Sequence, residues 1–218
     1  MAVQLLRGLG FHPGGDALSR IDGRVGRGAS GTNVSTPPLK VVPMSDQDRV
    51  RRTVLLCGHC LRNIAFYRAG WRMGKIRVRR QFWIAANGAF MDSAILEWCK
   101  LFAEPNGKHR WSRSVADKTG FATALYCRLR LTDSEFSAYI QTLKHPRDKF
   151  IAHLDAEPTM YLPWLRPARA SAAFLYDHLL NDPSTARWFR FEEKISARDF
   201  YAKWYKHAVA EYRRAGGP

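Results

Sequence analysis

No stretch of this chain approaches the roughly 18 consecutive apolar residues that span a bilayer. Its start also lacks an apolar core followed by a small-residue cleavage site. These absences set the expectation of a soluble, cytoplasmic protein with no membrane partner. Phosphate-cradling glycine patterns are missing too. The glycines of "GRVGRGASG" have no strand before them and no helix after, which excludes a Walker-type or dinucleotide loop. No segment shows the apolar and polar alternation with turn dipeptides that hairpins need. Acidic residues are scarce: 19 Asp+Glu stand against 35 Lys+Arg in 218 residues, a formal net charge of +16. Such an excess points to a polyanion such as nucleic acid, because neutralising phosphates releases counterions. It constrains partners and not fold.

Cysteine is sparse, with 4 in the chain, but "CGHC" at 57–60 has the spelling found in disulfide isomerases. That chemistry requires a preceding strand in a βαβ setting. Here the preceding "SDQDRVRRTVLL" reads as helix. Ser45 and Asp48 resemble a capping box with Asp in place of Glu, and apolar positions 50, 54, 57, 61 and 64 recur at intervals of three to four. Cys57 and Cys60 are therefore read as small helix-face residues in a reducing compartment. A zinc site using His59 with Cys99 and Cys127, and redox catalysis, are the alternatives; the separations are not a zinc-finger spacing. No metal and no cofactor are expected.

The chain divides near Met44. Residues 1–43 hold half of the 16 glycines, end in "TPPLKVVP" and show no sustained periodicity, the composition of a flexible extension. Translation starting naturally at Met44 would account for the same boundary. From 45 on the pattern is almost all helical, over about 46–68, 80–103, 112–128, a helix opening at Thr132 with Glu135 three residues later, 166–181 and 196–213. The expected fold is all-α, a helix bundle.

One segment breaks the helical monotony chemically. "KHPRDKFIAHLD", 144–155, sets Arg147, Asp148 and His153 close together in an otherwise amphipathic stretch. Pro146 suits the first turn of a helix or a kink, which places Arg147 and Asp148 in an N-terminal turn and His153 in the helix body. At about 100° per residue, six positions set Arg147 and His153 about 120° apart with a rise of about 9 Å. One helix cannot aim both at one small target, whereas two copies about a two-fold axis pool them in one cleft. The plainer reading is a solvated Arg-Asp pair and a packed core histidine. Asn87, Asp92 and Glu97, on the second helix, are candidates to line the same cleft, since inward polar groups need partners, or else are exposed polar positions. In "RAGWRMGKIRVRRQFW", Arg68, Arg72, Lys75, Arg77, Arg79 and Arg80 alternate with Trp71, Phe82 and Trp83, and "KHRWSR" adds Arg110 and Arg113. Cations that track phosphates beside aromatics that stack on bases suit RNA; a solvated connection with core-anchoring aromatics is the alternative.

"RDKFIAHLD" resembles the HEPN signature, Arg, a polar residue and His after a gap of four to six residues. "FWIAANGAFMDSAILEWCKLF", "HRWSR" and "LTDSEFSAYI" resemble the abortive-infection type of HEPN protein, over about residues 45–182. The resemblance implies a HEPN-like helical bundle and a metal-independent endoribonuclease of a bacterial anti-phage defence or toxin-antitoxin system. Its site would be shared across a homodimer. His153 would serve in general acid/base transfer, Arg147 would hold the scissile phosphate, and Asp148 would orient one of them. Some members carry Tyr two residues after the His, where a nucleotidyltransferase partner modifies them; position 155 here is Asp, which argues against an antitoxin of that kind. Another antitoxin or defence-system partner fits the resemblance, as does a catalytically silent HEPN module that binds RNA or a protein.

Overall fold

The computed structural model describes residues 43–148, 164–189 and 194–216. The extension up to position 42 and His153 lie outside the described residues. Among those described, the chain is all-α apart from one very short hairpin.

Helix α1, Asp46–Ala69, starts where Ser45 accepts the Asp48 N–H and donates its own hydroxyl to the Asp48 carboxylate. The aspartate is too short for the usual reciprocal bond to the cap backbone and takes the hydroxyl. Val50, Cys57, Leu61 and Ile64 are buried along one stripe, as their spacing predicts. The stripe serves three partners: α2 (Gln81–Phe102), α5 (Arg166–Asn181) and α7 (Ala197–Gly216) all pack on α1.

Between α1 and α2, strands β1 (Trp71–Arg72) and β2 (Lys75–Ile76) pair antiparallel. This corrects the expectation of no hairpin. Two residues per strand are too few to show alternation. The turn is the one that hairpin twist demands, with Met73 at φ 50° and Gly74 at φ 76°. The element expected at 112–128 is also two pieces, a 3-10 turn at Trp111–Arg113 and helix α3, Lys118–Leu129, capped by Asp117. Helix α4, Asp133–Pro146, opens with the full Thr132/Glu135 capping box, and a one-turn helix α6, Pro183–Ala186, follows α5.

The main core gathers around Trp98 of α2. Its ring stacks on Phe102 at 5.1 Å and meets Tyr139 of α4 edge-on at 5.5 Å. Its indole N–H donates to Ser171 of α5 at 2.8 Å, so the polar atom of a fully buried tryptophan is satisfied. A smaller cluster of Ala69, Val78, Ala208 and Tyr212 ties the hairpin to α7.

Candidate functional site

Arg147 follows α4 directly, and its N–H returns to the Lys144 carbonyl. The expected helix boundary is therefore corrected. Pro146 lies in the last α-helical turn of a helix begun at Thr132, and residues 147–148 continue it as a π-turn. The capping box sets the start, and a proline so near the end costs only the bond to the Thr142 carbonyl.

The Arg147 side chain is 16% exposed and held by two carboxylates. Its Nε donates to Asp148 Oδ1 at 2.7 Å, Nη2 lies 2.6 Å from the same oxygen, and Nη1 donates to Glu104. Burial opposes its positive charge, but the Asp148 hydrogen bond and the Glu104 and Asp148 charges outweigh burial and raise its pKa. A guanidinium has five N–H donors. Among the described residues, these contacts engage all three nitrogens and account for three of the five donors. Nearby, burial pushes the Cys99 thiol up to about 12 while Arg147 pulls the other way.

Sequence reasoning did not select Glu104. It stands just past the end of α2, where the helix dipole disfavours a negative charge, so it needs a cation; that misplacement was the available signal. His153 lies outside the described residues, so its distance from Arg147 does not enter the geometry.

The three α2 candidates do not converge on Arg147. Asn87 is 2% exposed and lies about 22 Å along the helix from Phe102. It accepts from Trp71 Nε1 at 2.9 Å and donates to the Tyr67 carbonyl at 2.9 Å and the Tyr212 hydroxyl at 3.0 Å. Glu97 faces α1, accepting from Asn63 at 3.0 Å with His59 Nδ1 3.5 Å away. Asp92 is half-buried, and burial raises its pKa. Of the three, Asn87 is a structural hub and not the lining of a cleft.

The basic candidates separate likewise. Arg68, Arg79, Arg80 and Arg113 are exposed, and Arg110 is half-buried. Arg72, Lys75 and Arg77 come together at the hairpin, around an open cavity that α7 completes with Tyr212 and Arg213. Arg213 was not among the sequence candidates.

Cys57 and Cys60 are fully buried, and burial raises both thiols far above the usual range. That is the reverse of what a nucleophilic thiolate needs. Among the described residues no three His, Cys, Asp or Glu side chains are grouped as metal ligands would be.

Comparison with known proteins returns no match: no family model, curated protein or solved structure is significantly similar to the chain.

Proposed function

We propose that the protein is a metal-independent endoribonuclease of the HEPN type, acting as a homodimer in bacterial anti-phage defence or a toxin-antitoxin system. The observation that carries the reading is the presentation of Arg147. Glu104 and Asp148 orient its guanidinium, and among the described residues they account for three of its five N–H donors, so that a bidentate hold on two phosphate oxygens, which arginine favours, is the role proposed for the others. In the reaction a ribose 2′-oxygen bonds to the adjacent phosphorus and the bond to the 5′-oxygen breaks. His153 exchanges the proton that leaves the 2′-hydroxyl or the one that reaches the 5′-oxygen. Arg147 balances the charge that grows on the phosphoryl oxygens. The products are a 2′,3′-cyclic phosphate and a 5′-hydroxyl, and the residues named supply the charge and proton transfer themselves.

The test is cleavage of RNA in excess EDTA by wild type beside His153→Ala, Arg147→Lys and Glu104→Gln. Wild type should remain active and leave 2′,3′-cyclic phosphate ends. His153→Ala should lose on the order of 10² to 10⁴ in rate, with Arg147→Lys comparable and Glu104→Gln milder, since Asp148 still holds the guanidinium. Strict dependence on a divalent ion with 3′-hydroxyl products overturns the mechanism.

A further inference from the structure

The hairpin and the end of α7 border an open cavity of about 600 Å³. Arg72, Lys75 and Arg77 line it from the hairpin and Arg213 from α7. The wall is rigid. Tyr212 is 2% exposed, its hydroxyl is fixed on Asn87, and its ring lies 5.1 Å from that of Trp83. Arg77 donates its Nε to the Ala69 carbonyl at 2.8 Å, which ties its guanidinium to the base of the hairpin.

The charge on this wall is unbalanced. Arg72 and Lys75 are directly paired across the hairpin, an arrangement of like charges that costs stability. Among the described residues no ion pair engages Arg72, Lys75 or Arg213. The acid closest in sequence on α7, Glu211, is taken by Arg214 at 2.7 Å. Four cationic side chains kept together around a concavity call for an anion. The aromatics narrow its class: Phe82 is 72% exposed, and its ring stands 5.7 Å from Trp83, which packs on Tyr212. An open ring beside a cationic groove is the arrangement that holds a single strand, with phosphates on the cations and an unpaired base on the ring. A membrane surface would make use of Met73, 93% exposed at the hairpin tip, but it is flat and would leave the concavity unfilled.

We infer that this cavity is a docking site for single-stranded RNA, with backbone phosphates on Arg72, Lys75, Arg77 and Arg213 and a base on Phe82. The assignment to RNA over DNA rests on the ribonuclease reading above; the phosphodiester chemistry does not. The site lies at the opposite end of α2 from Arg147, roughly 30 Å away along the helix, so it grips the strand away from the cleavage point.

The experiment is fluorescence anisotropy of the full chain with a labelled 2′-O-methyl single strand, which has no nucleophile and reports binding without cleavage. The variant is Arg72→Gln/Lys75→Gln/Arg213→Gln, with Arg77 left in place because it holds the hairpin. Lys118→Gln/Arg128→Gln/Lys203→Gln removes the same charge from exposed positions elsewhere. The cavity variant should bind on the order of 10-fold more weakly near 0.1 M salt and flatten the log–log salt slope by about 2, the loss of three single-strand phosphate contacts. The control variant should stay near wild type. Phe82→Ala should weaken the single strand and spare duplex RNA. A wild-type slope in the cavity variant, or equal losses in the two triple variants, overturns the site. Binding of phosphatidylserine vesicles while the single strand is ignored overturns it in favour of a membrane, and tighter binding of single-stranded DNA removes the RNA assignment. Because the probe strand is uncleavable, the site can fail while the ribonuclease stands, and the reverse.

Discussion

Asn87 carries a share of the structure out of proportion to its size. Its amide joins the end of α1, the hairpin and α7 through Tyr67, Trp71 and Tyr212. Gly70 has to be glycine for the same reason, since a Cβ there would stand 2.2 Å from Asn87 Nδ2 and 2.9 Å from the Tyr212 hydroxyl. Replacing Asn87 with Ala removes the partner of the part-buried Trp71 indole N–H and of the buried Tyr212 hydroxyl, at about 1–3 kcal/mol for each unsatisfied group, while the Tyr67 carbonyl keeps the Gly70 N–H. Urea unfolding of Asn87→Ala should accordingly show a loss of about 2–4 kcal/mol, and a change within a few tenths would remove the hub role. A buried Asn was visible in the sequence as a polar residue on an apolar helix. Its partners were not, because they lie 16, 20 and 125 residues away.

At the level of the element, a pH response is expected of α5. His178 meets the Phe121 ring edge-on at 4.9 Å with Asp182 3.8 Å away. Burial lowers its pKa from the usual 6.5, with Asp182 and Asp117 pulling the other way. His109 shifts in the same direction, through burial and the cations Arg52, Lys100, Lys108 and Arg49. In both cases the folded state holds the neutral form, so as pH falls past 6.5 the unfolded chain takes up protons first and stability drops. Asp92 and Asp177 have raised values and work in the opposite sense, gaining a little as acid protonates them. Melting temperature should therefore fall from pH 7 toward pH 5. His178→Phe, which keeps the aromatic packing, should flatten that fall, and an unchanged slope would assign the response elsewhere. The α5 boundaries at 166–181 agree with those expected from the sequence, and Pro167 sits in the first turn. The contact of His178 with Phe121 of α3 depends on how two helices pack, which no local pattern encodes.

For the whole molecule the central expectation is the two-fold site. On the proposed reading Arg147 and His153 are pooled from two copies about a two-fold axis, so activity should track the dimer. Cleavage rate followed on dilution beside sedimentation should fall as dimer dissociates, and a fully active monomer would sink the shared site even with cleavage intact. The charge of +16 adds a steep salt dependence to any RNA binding.

By itself the sequence determined the all-α class, the main helices to within a residue or so for α1, α2 and α5, and the caps at Ser45 and Thr132, because these depend on periodicity and on side chains three residues from their targets. It also marked Arg147 and Asp148 as chemically unusual. Only the tertiary structure decided that Glu104 clasps Arg147, 43 residues away, that Asn87 serves the core, and that Arg213 joins the hairpin cations. The hairpin itself was missed because its four strand residues are too few for a period to register. Each of these pairings joins residues distant in sequence that packing brings together, and neither propensity nor spacing along the chain carries that information.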